Sequence, residues 1–198
     1  MARPRPIPGL DPDRRLRPNA RRILAVRIRE VYAHDRAVRD PARVRELHDL
    51  RIACKRLRYL LEIFGVAFRA DLDPFVEELR GLQDLLGEIH DRDVQVPLLE
   101  DHLRRLEAGA AGAVTVPADP AVAIAAGDGA PADLVGAAAR RARRDPPGAL
   151  FTDERPGVRA LLERRRRERE ELYARFLEEW ARLRRRRFRK RLEAALGL

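Results

Sequence analysis

His48, Arg51, Lys55 and Arg58 recur at intervals of three, four and three residues. In a helix that spacing places all four side chains on one stripe. A second stripe with the same rhythm sits one residue earlier: Leu47, Leu50, Cys54, Leu57, Leu61, then Phe64 and Phe68. One residue is about 100° of helical rotation, so a basic row lies beside a buried seam. Like charges at these spacings repel, and the row costs stability unless something anionic rests on it. From His48 to Arg58 the row is about 15 Å long, enough to follow a linear polyanion through several charges. Arginine's planar fork suits phosphate oxygens. His48 is the member that titrates near neutrality, so anion affinity is expected to rise on mild acidification. A solvated face with Glu46 and Glu62 as counter-charges accounts for the same spacing.

Two further places put charge where an apolar stripe should run. The first helix reads Ile23, Arg27, Val31, His34 and Val38 on its inner positions. The last helix passes from Leu162 to Leu172 through Arg165 and Arg169. Inward arginines need a partner or an aqueous cleft, unless their stems lie along the bundle edge and carry the charge out to water.

The elements that must position these residues read as helices. Residues 1–18 hold five prolines and suggest a flexible arm. Asn19 is placed as the N-cap of a helix to about Asp40, and Pro41 ends it. A second helix is expected from about Ala42 to Phe68. Asp73 and Pro74 open a third, as cap and first helical residue, with the seam Phe75, Leu79, Leu82, Leu86 and Ile89. It is expected to continue, kinked at Pro97, through Leu99, Leu103 and Leu106. Residues 109–156, rich in Ala, Gly and Pro, read as a mobile linker with one short helix over 132–144. A last helix is expected from about Pro156 to Leu196, with the stripe Val158, Leu161, Leu162, Leu172, Phe176, Trp180, Leu183, Phe188 and Leu192. The predicted fold is all-α, a four-helix bundle of long helices with the linker before the last.

Composition narrows the function. The 198 residues carry 42 Lys and Arg against 32 Asp and Glu, a net charge of +10, and only Lys55 and Lys190 are lysines. That excess implies a polyanionic partner. It is unevenly spread: residues 1–40, 43–69 and 157–198 carry net charges of +6, +4 and +8, while residues 71–108 carry −7. One cysteine, Cys54, excludes an intramolecular disulfide and a Cys-rich zinc site. No apolar run approaches the roughly 18 residues of a membrane span, so no membrane partner is expected. Met1 to Arg22 lacks the apolar core of a secretory signal, and a cytoplasmic location is expected.

The segment His48, Arg51, Lys55, Arg56, Leu57, Arg58, Tyr59, followed by Leu61-Glu62-Ile63-Phe64, resembles the CHAD family, the conserved-histidine α-helical domain. Leu82 to Glu88 (Leu-Gln-Asp-Leu-Leu-Gly-Glu) fits the same pattern. The resemblance covers roughly residues 19–106, and the last helix loosely. It implies a helical bundle that binds inorganic polyphosphate on a basic surface without catalysis, at or near polyphosphate granules. It implies phosphate contacts from His48, Arg51, Lys55, Arg56 and Arg58, with Tyr59 packing or donating a hydrogen bond. Arg27, His34, Arg165 and Arg169 join them as candidate contacts. Family members usually carry two such bundles. This chain carries one, resembling the second half, with His90-Asp91-Arg92-Asp93 where Asn-Asp often follows. A homodimer with the anion at or near its interface is therefore expected.

Two other functions fit parts of the sequence. His34-Asp35, His48-Asp49 and His90-Asp91 are His-Asp pairs of the kind that metal-dependent phosphohydrolases use, and His90, Asp91 and Asp93 would be the ligands. A general RNA or polyanion binder would use Phe188 within the arginine run 184–189 to stack bases. No nucleophile-base pair and no phosphate-cradling glycine loop stand out, so no catalytic residue, metal or cofactor is expected.

Overall fold

The computed structural model describes residues 4–13, 15–108 and 153–198. Among these the chain is helical, with no strand: α1 (Leu16–Ala33), α2 (Val44–Phe64), α3 (Asp73–Glu107), α4 (Arg155–Arg185) and α5 (Phe188–Leu196). Short 3-10 turns at Ala37–Arg39 and Gly65–Ala67 follow α1 and α2. The predicted linker lies, up to residue 152, outside the described residues, as does the short helix expected over 132–144. Two compact units divide the chain, Met1–Glu100 with Ala160–Leu198, and Asp101–Arg159. In the smaller one, Arg159 pairs with Glu107 at 2.5 Å.

The apolar periodicity builds the core of the larger unit. Leu47, Leu50, Cys54, Leu57 and Leu61 of α2 are buried, as are Phe75, Leu79, Leu82, Leu86 and Ile89 of α3. Leu172, Phe176, Trp180 and Leu183 of α4 and Phe188 and Leu192 of α5 close over them, whereas Leu161 is exposed. Burial pushes the Cys54 thiol up to about 12, so it packs as a small apolar group. Among the described residues no helix is long and apolar enough to cross a membrane.

The predicted ends shift where tertiary contacts compete with local signals. Asn19 is not a cap: it lies inside α1, and its amide accepts from Asp11 N at 3.2 Å and donates to Asp11 O at 2.5 Å. Those bonds, with Arg22 Nη1 donating to Gly9 O, hold the proline-rich arm along α1. The first helix stops at Ala33, short of Asp40, because Asp35 leaves the helical path to accept from Trp180 Nε1 at 2.9 Å and Arg184 Nη1 at 3.0 Å. Of the expected inner positions Arg27, Val31 and Val38 are buried and Ile23 and His34 half-buried, and Ala20, Leu24 and Ile28 extend the buried face of α1. At the start of α3 the carbonyl of Leu72 accepts from Phe75 and Val76, so Leu72 takes the cap position and Asp73 is already helical. α3 runs on through Pro97.

The expected single last helix is broken in two. Arg187 adopts the left-handed region at φ 52°, and α5 begins after it. α5 then ends on Gly197 at φ 68°, whose missing side chain also admits Arg21. Arg21 Nε donates to Leu196 O at 2.8 Å and ties this C-terminal cap to the first turns of α1.

Candidate functional site

The basic row of α2 faces α3 across a groove of about 420 Å³. Arg51, Lys55 and Tyr59 form one wall, and Gln83, Asp84, Gly87, Glu88 and Asp91 form the other. Arg51 reaches across to α3 over Gly87, where an added methyl would stand 3.7 Å from its Nε. Two cations lie near the Tyr59 ring, Lys55 Nζ at 5.7 Å and Arg58 Cζ at 4.4 Å from its centroid. That contact spaces the two charges along the row.

The row's members are engaged differently. Arg58 is held by protein, donating to Gln83 Oε1 and to Glu62 Oε1, each at 2.7 Å. Arg51 and Lys55 have no ion pair among the described residues. His48 packs against His90 of α3, ring centroids 4.6 Å apart and the planes tilted by 48°. Its Nδ1 is buried with no hydrogen-bond partner.

Burial, then the neighbouring His90, lowers the His48 pKa below its ordinary 6.5, with Asp49 opposing and Arg51 adding to the shift. The unfolded chain therefore binds this proton more readily than the folded one. Stability held by His48 is complete above pH 6.5 and falls as the pH drops through 6.5 toward the folded value. Urea unfolding at pH 7.5 and 5.5 should show this loss in the wild type and a shallower one in His48→Gln. An equal loss in both would assign the slope elsewhere, first to His34, which burial also lowers.

The other sequence-derived candidates lie apart from the groove. Arg56 and His34 line a separate cavity of about 200 Å³ between the arm, α1 and α2, with Arg5, Glu30 and Asp49. Arg27 is a correction: it is buried, paired to Glu30 Oε1 at 2.5 Å and bonded to Arg5 O at 3.1 Å, so it braces the arm and presents no charge to a ligand. Arg165 and Arg169 also found partners inside the protein. Arg165 Nη1 donates to Glu168 Oε2 at 2.7 Å, and with Arg164 it holds that carboxyl down to about 2. Arg169 Nε donates to Asp93 Oδ1 at 2.6 Å and its Nη2 to Pro41 O at 2.7 Å.

The residues of the two alternatives do not assemble as those readings need. His90 packs against His48, Asp91 lines the groove and Asp93 is bonded to Arg169. Among the described residues no three His, Cys, Asp or Glu side chains are grouped to hold a metal ion. Phe188 is buried edge-on against Phe75, 5.6 Å between centroids, and offers no face to a base. Sequence reasoning missed the acidic wall. Its signal was there, since Asp84, Glu88 and Asp91 recur at four and three residues on α3.

Fold and site together define an all-helical protein with a charged groove between two of its helices. The CHAD domain family model matches residues 2–100, half of the chain, and takes in the whole groove. The chain belongs to the CHAD domain family. Neither the curated proteins nor the solved structures compared with it give a match.

Proposed function

We propose that the chain binds inorganic polyphosphate, without catalysis, along the α2 wall of the groove. The observation that carries this reading is the state of Arg51 and Lys55. They sit side by side in an open groove with no ion pair among the described residues, while Arg58 next to them holds Glu62, and Arg165 and Arg169, away from the groove, hold Glu168 and Asp93. Neighbouring cations on one helix face that no direct ion pair ties down are open to an external anion. Family membership and the net charge of +10 support the same ligand class. A phosphate chain needs no stacking surface, and Tyr59 is the one aromatic residue lining the groove.

Titration with long-chain polyphosphate and with single-stranded RNA, at matched phosphate and ~150 mM salt, tests the proposal. Polyphosphate should bind more tightly, and its affinity should fall steeply with added salt as counterions are released. Equal competition by RNA would reduce the protein to a general polyanion binder.

A further inference from the structure

A cavity of about 680 Å³ lies apart from the groove, between α4 and the turn that follows α1. Leu177, Trp180 and Ala181 give it an apolar floor, and the rest of its lining is Arg39, Arg184 and Arg185. The three arginines are held differently. Arg184 Nη1 donates to both oxygens of Asp35, at 3.0 and 3.1 Å, and the same carboxylate accepts from Trp180 Nε1 at 2.9 Å. Arg39 reaches that carboxylate only at 3.5 Å, with 58% of its side chain exposed. Arg185 has no ion pair among the described residues, and the positions three and four before it are Arg182 and Ala181, so its own helix offers it no carboxylate. One carboxylate thus faces two guanidiniums while a third stands beside them, and positive charge is in surplus over the apolar floor.

We infer that this cavity binds a small organic anion with an apolar body, of the acyl or aryl carboxylate class. Apart from the arginines, the one polar group of the lining is Trp180 Nε1, and Asp35 already takes it. A matching ligand therefore carries no polar group along its body and holds its charge at one end. The body lies on Leu177, Trp180 and Ala181. The carboxylate accepts from Arg39 and Arg185, whose planar forks can meet both its oxygens. Arg184 and Asp35 brace the rim. The volume falls in the roughly 300–1,000 Å³ range of small-ligand sites. A phosphate chain suits the cavity poorly, because it has no apolar part to cover the floor. The inference is independent of the groove and its ligand.

Trp180 is the one tryptophan of the sequence, so its fluorescence reads this cavity with no background from another. Titrating the full chain with decanoate, below its micelle concentration, should give a saturable change in emission. Decylammonium has the same body with the opposite charge, and acetate has the charge without the body. Each should bind at least about tenfold more weakly. Arg39→Gln with Arg185→Gln should weaken decanoate about tenfold. Both side chains are exposed, so helix content by circular dichroism should hold. Ala181→Glu sets a carboxylate four residues before Arg185, an attractive spacing on a helix, and should abolish binding by occupying the rim from within. Decylammonium matching decanoate would overturn the inference, since the cavity would then be an apolar surface indifferent to charge. Decanoate affinity unchanged in the double variant would overturn it as well. So would competitive displacement of decanoate by long-chain polyphosphate, which would make the cavity part of the polyanion surface.

Discussion

Replacing Arg169 by Met should destabilise the protein by about 3 kcal/mol, the lower end for breaking a buried ion pair from one side. The lower end applies because Arg169 keeps 17% of its side chain exposed while Asp93 keeps only 6%. Removing the guanidinium leaves the Asp93 carboxylate enclosed without a counter-charge, and Pro41 O loses its donor. Met retains an apolar stem against Tyr173, over which the Arg169 guanidinium lies at 5.8 Å. The change should appear as a lower urea midpoint with an unaltered slope. Adding Asp93→Leu should restore much of the loss, since the stranded charge is then gone. Polyphosphate affinity of the folded variant should stay close to that of the wild type. A stability change below about 1 kcal/mol, with binding lost instead, would make Arg169 a ligand contact and not a brace.

Arg169 also shows what the sequence could and could not convey. Its place on the inner stripe of the last helix was legible, and so was the need for a partner. The partner was not, because Asp93 lies 76 residues away and only the packing of α3 on α4 brings them together. The same division runs through the molecule. The seams of α2 and α3 follow from periodicity alone, since a buried stripe requires apolar side chains at three and four. Local capping signals misled where a tertiary bond was stronger. Asn19 has the chemistry of a cap, yet it serves the arm through Asp11. The break at Arg187 carries no glycine to announce it, and the arginine run reads as helix until φ turns positive. The groove was half legible. Its basic wall is written in a single segment, while its acidic wall belongs to another helix, and only the packing of α2 against α3 sets the two rows face to face.

Exchanging Arg51 and Lys55 together for Ala should weaken polyphosphate binding about 100-fold, or about 2.7 kcal/mol. Each is a cation meeting phosphate oxygens, and a hydrogen bond to a charged group contributes roughly 1.5–3 kcal/mol. Exposure of Lys55 and screening in an open groove hold the pair just below the roughly 3–6 kcal/mol that two such contacts would sum to. Arg58 stays in place, because its bonds to Gln83 and Glu62 hold α2 to α3 and its removal would mix a structural loss with a binding one. The double variant should remain folded and no less stable. Alanine is the better helix former, and removing two like charges relieves repulsion along α2. The salt dependence should also flatten, as fewer counterions are released when two contacts are gone. The decisive comparison is with Arg185, Arg186 and Arg187 exchanged together. These exposed arginines, at the corner between α4 and α5, have no ion pair among the described residues. They offer more charge than the groove residues but no wall to fix a chain in register. Their loss should weaken binding by less than about fivefold, through the long-range field alone. If the corner variant instead loses as much affinity as the groove variant, the binding surface lies at that corner and the α2 row is a solvated face.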